Sequence, residues 1–211
     1  MRSVPQELVS IADWLASRKV RLIRGNENQR IDSAKNHVVI LDKLAGQRQF
    51  AITPSANPSD GWYSFEVASN RGEPLPVKIK VSSFSRADNL NCKLGIYHAL
   101  TGQRPEFTDK IGWERYFHLL KHNLDQDCKE DFYFLVVNRT DTSDVFCNSL
   151  KGITTLRPNG SNLPFQCNWN DNRKPNQQRS NAEATQYILG TLRESARLRA
   201  EMYHGYEKYF P

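Results

Sequence analysis

The sequence predicts an α/β fold in which a mixed central β-sheet is flanked by helices. Residues 62–67 and 77–82 alternate apolar and polar side chains, which is typical of half-buried strands. The run DFYFLVVNR at 131–139 is mostly apolar, which favours a central strand covered on both faces. Segments with apolar residues at helical spacing precede and follow these strands. Together these observations indicate helices packed on a sheet.

Two helices are predicted before the sheet, within the first 50 residues. Residues 5–18 carry apolar side chains at helical spacing, so we expect an amphipathic helix there. Asp32 or Ser33 can cap a second helix, which Gly46 is expected to end.

Three more helices are predicted further along the chain. Residues 88–101 and 113–124 have apolar residues at helical spacing. Ser180 and Glu183 form a capping-box pattern, in which each side chain bonds the other residue's backbone N–H. A long helix is therefore expected from Asn181 onward.

The composition is polar and basic. Apolar residues make up 38% of the 211 residues, the mean hydropathy is −0.66, and the formal net charge is +6 with a pI near 9.2. A chain of this size can bury a core of its own, and its positive charge weakly favours an anionic partner such as nucleic acid. No run approaches the roughly 18 apolar residues of a membrane span, and MRSVPQELVS lacks the apolar stretch of a signal peptide. We therefore expect a cytoplasmic protein without a membrane partner.

The cysteines do not suggest a metal site or a disulfide framework. Cys92, Cys128, Cys147 and Cys167 are widely spaced and form no CxxC pair. We expect reduced, buried thiols, as in most cytoplasmic proteins.

The two alternating runs are predicted to form a hairpin that gathers charged side chains on one face. A turn at 70–72 pairs the runs antiparallel, so that Lys78 and Lys80 lie opposite residues 62–65. Asp60 then stands at the entrance of the hairpin, on its polar face and within reach of Lys80.

An aspartate and a lysine on neighbouring strands suit the metal-dependent hydrolysis of a phosphodiester. Carboxylates can hold Mg²⁺, and an ammonium group can orient the attacking water and stabilise the charge that develops on the phosphate. The alternative is an ordinary amphipathic hairpin whose lysines are solvated.

The order of motifs around this hairpin resembles the PD-(D/E)XK nucleases, and among them the EcoRV-like and HincII-like type II restriction endonucleases. ANPSD, which ends in Asp60, is similar to the loop before the first catalytic aspartate of that family. PVKIKVSS, around Lys80, resembles the strand that carries an acid, any residue and a lysine.

The resemblance continues towards the C-terminus in the same order. CKLGIYHALTG at 92–102 is similar to the glycine-containing stretch and helix that follow the active site. NLDQDCKEDFYFLVVNRT at 123–140 resembles the next core strand. LRPNGSNLPFQCNWND at 156–171 is similar to the loop that reads bases in the major groove, and a long charged helix follows.

The resemblance implies a restriction-endonuclease-like fold with a DNA-binding cleft. It divides the single domain 1–211 into a helical N-terminal and dimerisation region (1–50), a catalytic core (55–155), a DNA-recognition loop (156–181) and a C-terminal helix (182–211). It also implies Mg²⁺ as cofactor. Asp60 is then a catalytic residue and metal ligand, and Lys80 a catalytic residue that activates or orients water.

One position departs from the family pattern, because Lys78 stands where an acid is expected. At about 5 Å and an effective dielectric constant near 20, a lysine repels Mg²⁺ by roughly 7 kcal/mol. Glu66 lies roughly 20 Å along the strand from Asp60 and cannot serve as its partner. Either Asp42 or Asp88 folds into the site, or the lysine disables cleavage. We place Lys78 at the active site without assigning its role.

Residues 159–162 and 168–181 are rich in asparagine, glutamine and basic side chains. Asn and Gln can bond adenine bidentately and Arg can bond guanine, whereas lysine and arginine also contact phosphates. The alternative is an exposed polar loop without a ligand. The residues predicted to contact DNA are Asn57, Asn159, Gly160, Ser161, Asn162, Asn172, Arg173, Lys174, Gln177 and Arg179.

The function predicted from these observations is type II restriction, the Mg²⁺-dependent hydrolysis of double-stranded DNA at a short palindromic site. A palindromic target implies a two-fold homodimer, because symmetry in the DNA is read by symmetry in the protein. Two alternatives stay open. The chain could bind DNA specifically without cutting it, because of Lys78, or it could bind RNA or a protein and have no relation to nucleases.

Overall fold

The computed structural model describes residues 4–23, 25, 29–56, 62–70 and 72–209, with only the backbone of 29–31. Asn57 and Asp60, the predicted DNA contact and metal ligand, lie outside the described residues.

Five α-helices and eight β-strands form the described part of the chain. The helices are α1 (Gln6–Arg18), α2 (Gln29–Ala45), α3 (Lys93–Thr101), α4 (Trp113–Asn123) and α5 (Asn181–Tyr209). The strands are β1 (Ile52–Pro54), β2 (Phe65–Val67), β3 (Leu75–Ser82), β4 (Asp88–Leu90), β5 (Tyr133–Asn138), β6 (Val145–Ser149), β7 (Arg157–Pro158) and β8 (Phe165–Cys167).

The main sheet is mixed and has the strand order β1-β2-β3-β5-β6. Strands β1, β2 and β3 are antiparallel neighbours, β3 and β5 are parallel, and β6 returns antiparallel to β5. Since parallel neighbours need a long crossover, the chain passes through β4, α3 and α4 between β3 and β5. The predicted mixed α/β fold is confirmed.

Strand β5 is covered on both faces, as its apolar run predicted. Tyr133, Leu135 and Val137 pack in a cluster with the apolar sides of α1 and α2. Phe134 and Val136 point the other way, into a second cluster built by α3, α4, α5 and the small sheet. Successive side chains of a strand alternate between faces, so an uninterrupted apolar run matches two cores.

The small second sheet has the order β4-β8-β7, with antiparallel pairing throughout. It places part of the predicted 156–181 loop in regular structure, because β7 and β8 belong to that segment. Trp169 and Phe165 are fully buried and join this segment to the second core. The segment predicted as a DNA-recognition loop is therefore partly an internal element of the fold.

Several element boundaries differ from those predicted. The first strand of the hairpin, predicted at 62–67, is β2 and covers only Phe65–Val67. Helix α2 starts at Gln29, before the expected caps at Asp32 and Ser33. The segment 88–101 is not one helix, since β4 occupies its first three residues and α3 begins at Lys93. In β4 the pairing with β8 decides the conformation, and a period estimated from so few residues does not detect such pairing.

The start of α5 is fixed by the predicted capping box. Glu183 accepts hydrogen bonds from the backbone N–H and the hydroxyl of Ser180, at 2.7 and 2.9 Å. The Ser180 hydroxyl in turn accepts one from the Glu183 N–H, at 3.2 Å. The long C-terminal helix is confirmed.

Among the helices described, none has the length and hydropathy to cross a membrane. All four cysteines are buried and unpaired, as predicted. Burial raises the pKa of the Cys92 thiol to about 12.

Helix α3 approaches the sheet closely at Gly95. A Cβ at this position would lie 2.5 Å from the ring of Phe132, so only glycine fits without displacing the ring. One turn further on, His98 is buried against Trp62, with the ring centroids 5.0 Å apart. The His98 Nδ1 lies 3.2 Å from the carbonyl oxygen of Gln103, and Nε2 has no partner among the described residues.

We predict that His98 makes folding stability depend on pH. Burial lowers the pKa of His98 to about 4, from about 6.5 in the unfolded chain. The unfolded state therefore binds a proton first as the pH falls. Stability present above about pH 6.5 is lost down to about pH 4, by roughly 3 kcal/mol. Urea denaturation across this range measures the loss. The variant His98→Phe keeps the ring packing and should flatten the dependence, whereas an unchanged slope would contradict the assignment.

Candidate functional site

Lys78 and Lys80 lie on the same face of β3. In the parallel pairing with β5, Lys78 is the partner of Phe134 and Lys80 is the partner of Val136. Both partners point into the second core, so the two lysines also face the layer of α3, α4 and the small sheet. Both side chains are half-buried.

Ser64 supports β3 at this point. The pairing of Phe65 with Val77 places Ser64 beside Lys78, as the predicted turn requires. The Ser64 N–H donates to the Val77 carbonyl at 2.7 Å, and the Ser64 hydroxyl accepts from the Ile79 N–H at 2.9 Å. The fully buried Ser64 side chain thus replaces a missing ladder bond and fixes the strand between the two lysines.

The surroundings of Lys78 disfavour its charged form. Burial lowers the pKa of Lys78 and the charge of Lys80 lowers it further, whereas Asp109 acts in the opposite direction. Asp109 lies in the exposed connection between α3 and α4. It is thus a carboxylate that the fold brings into the electrostatic range of Lys78.

A chain of hydrogen bonds joins Lys80 to the predicted recognition segment. The Lys80 ammonium donates to the backbone carbonyl of Asn89 in β4, at 3.0 Å. The side-chain oxygen of Asn89 accepts from the side-chain amide of Asn159, at 2.8 Å. Two segments that the sequence predicted independently are therefore neighbours in space.

The two carboxylates considered as replacements for the missing acid differ in position, because Asp88 directly precedes Asn89, whose carbonyl Lys80 contacts, whereas Asp42 does not lie on this face. Asp42 is exposed on α2, which packs on the opposite face of the sheet from the lysines. The Asp88 carboxylate accepts a hydrogen bond from the indole N–H of Trp169, at 2.9 Å. Glu66 forms an ion pair with Arg104. The described residues contain no group of three or more His, Cys, Asp or Glu arranged to hold a metal ion.

The segment 159–162 is a turn held against α5. The Asn159 side-chain oxygen accepts from the backbone N–H groups of Ser161 and Asn162, at 3.1 and 3.0 Å. Arg199 donates to the carbonyls of Gly160 and Ser161, at 3.0 and 3.1 Å. A Cβ on Gly160 would lie 2.8 Å from Leu198, so glycine permits this close approach.

Asn172 has a structural role, which corrects its prediction as a base contact. The side chain is fully buried. Its oxygen accepts from the N–H groups of Thr154 and Thr155, at 2.9 and 3.0 Å. Its amide donates to the carbonyls of Thr155 and Asn168, at 3.1 and 2.7 Å. Every hydrogen-bonding position of the amide is thereby used, and none is left for a base.

The two arginines that were predicted to contact DNA also make contacts within the protein. Arg173 forms a bidentate ion pair with Asp144, at 2.6 and 2.7 Å. Arg179 donates to the carbonyls of Ile153 and Thr154, and its guanidinium lies 3.7 Å from the centre of the Tyr187 ring.

The remaining predicted contacts differ in exposure. Lys174 and Gln177 are exposed, as is Ser161, whereas Asn159, Gly160 and Asn162 are half-buried. The side chains that can reach a ligand without breaking an internal bond therefore belong mainly to Lys174 and Gln177.

Three residues of this site were missed by sequence reasoning. Asn89 was placed in the predicted helix 88–101, Ser64 was one of the polar positions of the predicted hairpin, and Asp109 was given no role. Only Asn89 had a usable signal, because Asp88 and Asn89 precede Leu90, the first apolar residue on which the helix prediction depended.

No protein-family model matches the sequence, and the search of curated proteins gave no significant match.

We predict opposite outcomes for two neighbouring positions. Asn172→Ala leaves buried backbone groups without partners, so the free energy of unfolding should fall by about 3 kcal/mol. Lys174→Ala should change that free energy by less than about 0.5 kcal/mol and should reduce the salt dependence of DNA binding by about one unit. Urea denaturation and binding titrations at several salt concentrations measure both. If the Asn172→Ala variant is stable but binds DNA more weakly, Asn172 is a DNA contact and its structural assignment is wrong.

Proposed function

We propose that this protein is a Mg²⁺-dependent endodeoxyribonuclease of the type II restriction class, which cuts double-stranded DNA at a short palindromic site. The observation that carries the proposal is the hydrogen-bonded path Lys80–Asn89–Asn159. It connects the strand predicted to carry catalytic groups with the segment predicted to read bases. Cutting at a chosen sequence requires those two functions to be adjacent.

The proposed role of Lys80 is electrostatic. Its ammonium group lies beside the exposed residue Asn89 of β4, where a phosphate could approach. In hydrolysis, water attacks the phosphorus and the bond to one ester oxygen breaks, while negative charge builds on the phosphate oxygens. A fixed ammonium group stabilises that charge more in the transition state than in the ground state.

Magnesium would depend on few protein ligands in this site. Mg²⁺ commonly uses one or two carboxylates together with substrate phosphates. Asp60 is the proposed carboxylate, and the described residues add no complete metal-binding group. When bound, the ion would neutralise phosphate charge and activate a water molecule.

The environment of Lys78 reduces the conflict between a lysine and a cation. Its lowered pKa makes the neutral amine more accessible than in an exposed lysine, and a neutral amine does not repel Mg²⁺. Asp109 raises the pKa of Lys78 and so favours its charged form, but its own negative charge offsets part of the positive potential of the two lysines.

Binding to DNA is supported by charge and by the exposed end of the recognition segment. The net charge is +6, and Lys174 presents an ammonium group to solvent. We propose a homodimer, because a palindromic site presents the same bases to each of two symmetry-related copies.

A specific observation favours a second candidate, a DNA-binding protein that does not cut. Lys78 occupies the position where the resemblance expects an acid, and the described residues contain no group of three or more His, Cys, Asp or Glu arranged to hold a metal ion. Such a protein would bind DNA through the recognition segment but would not hydrolyse it.

Plasmid nicking separates the two candidates. With Mg²⁺ we expect the natural chain to cut the plasmid. The variant Lys80→Ala should cut about 10²–10³-fold more slowly. It should still bind DNA, and its unfolding temperature should be unchanged. If only the Lys78→Asp variant cuts, the natural chain is the DNA-binding protein that does not cut. If neither chain cuts, or if duplex RNA competes better than duplex DNA at equal salt, the restriction proposal is wrong.

A magnesium titration tests the role of Lys78. The folded-state pKa of Lys78 is lowered, so raising the pH removes its charge before that of an ordinary lysine. We therefore expect the Mg²⁺ concentration for half-maximal cleavage to fall as the pH rises.

The control for this titration is Lys78→Met, which keeps the aliphatic stem and has no charge. At neutral pH this variant should need an at least about tenfold lower Mg²⁺ concentration for half-maximal cleavage. That concentration should then vary with pH only as far as the activation of water by Mg²⁺ itself does. A higher Mg²⁺ requirement in Lys78→Met would contradict the repulsion and assign Lys78 a positive role.

A further inference from the structure

The apolar face of α5 continues past the edge of the domain. Ala184, Ile188 and Ser195 lie on the face that packs against the core. On the same face, at helical spacing, the following turns carry Leu198, Met202, Tyr206 and Tyr209, which we call the C-terminal stripe.

The C-terminal stripe is open to solvent. Met202 is 72% exposed, Tyr206 is 61% exposed and Tyr209 is 71% exposed. Arg199 still contacts the domain through Gly160 and Ser161, and all residues from there to Tyr209 are exposed. An amphipathic helix ordinarily turns such a face towards a partner surface.

We propose that the C-terminal stripe pairs with the same stripe of a second copy of this chain, with the two helices antiparallel. Three residues of the stripe, together with Gly205, follow the alternating four- and three-residue spacing of a coiled-coil seam: Leu198, Met202, Gly205 and Tyr209. The stripe already lies on a formed helix, so pairing requires no change in its secondary structure.

Gly205 indicates the register of this pair. A Cβ at Gly205 would touch nothing, although glycine within a helix costs about 1 kcal/mol relative to alanine. When Leu198 lies opposite the second copy's Tyr209, Met202 lies opposite the second copy's Gly205. The absent side chain then provides the space for a methionine, which fills irregular gaps well.

The charges flanking the stripe fit the same arrangement. Glu201 and Lys208 lie on one flank of the stripe, seven residues apart. In the antiparallel register each Glu201 lies near the second copy's Lys208, and two-fold symmetry forms this contact twice. A parallel pair would instead bring like charges to the same level. Glu201 also pairs with Arg197 within its own helix, which holds the carboxylate on the helix surface.

The N-terminal region 1–50 is a weaker candidate for this contact than the resemblance implied. The apolar residues of α1 and α2 are already covered by the main sheet, and Leu8, Ile11 and Leu44 are fully buried there. The paired part of α5, from Leu198 to Tyr209, is about 18 Å long. A contact of this length is at the small end of specific interfaces, so we expect a dissociation constant of about micromolar order.

Analytical ultracentrifugation of the full chain tests the proposal. Over a roughly hundredfold concentration range around micromolar, the natural chain should pass from monomer to dimer. Met202→Glu places two carboxylates at the seam and should leave a monomer throughout. Ala200→Glu introduces the same charge on the opposite, exposed side of the helix and should dimerise like the natural chain. A natural chain that stays monomeric, or equal behaviour of both variants, overturns the proposal.

Charge reversal tests the antiparallel register. Lys208→Glu alone should weaken the dimer about threefold to tenfold, because each copy then faces a like charge. The double variant Glu201→Lys with Lys208→Glu should restore most of the affinity. Circular dichroism of each variant shows whether the helix itself is retained. A double variant as weak as the single variant would overturn the antiparallel arrangement.

These outcomes are distinguishable from those of the cleavage assay. Dimerisation is measured without DNA or Mg²⁺, so a chain that dimerises and never cuts would keep this inference while losing the proposed function.

Discussion

The parallel pairing of β3 with β5 is the constraint on which the rest of the structure depends. Because parallel neighbours need a crossover, α3 and α4 must cover one face of the sheet, and the same face receives Lys78 and Lys80. The opposite face is occupied by α1 and α2. The two charged side chains therefore lie beside a core and cannot extend freely into solvent, which gives the site its electrostatic character.

Placing two lysines in that layer has an electrostatic cost and, in the proposed function, a chemical use. Burial and mutual repulsion destabilise the charged form of Lys78, whereas Lys80 directs its ammonium group to the carbonyl of Asn89. Groups held in such conditions have the perturbed protonation that functional sites commonly show. The same perturbation can arise in a purely structural cluster, so the hydrogen-bonded path to Asn159 is what favours function here.

The polar segment that links the small sheet to α5 shows that asparagine-rich composition has two uses. Asn172 has all its hydrogen-bonding capacity engaged by backbone, and Asn159 closes a turn that Arg199 holds on α5. Lys174 and Gln177 lie on the same segment and remain exposed. Internal bonds thus position the segment, while a few side chains are left exposed.

The sequence by itself determined the elements with strong local patterns: the double-faced strand β5, the hairpin register around Lys78, and the capped start of α5. These depend on apolar periodicity and on bonds between residues close in the chain. Only the tertiary structure decided that residues 88–90 form a strand, that Asn172 is buried, and that Asn89 and Asp109 lie near the lysines. Each of those depends on a partner distant in sequence, and no local pattern records such a partner.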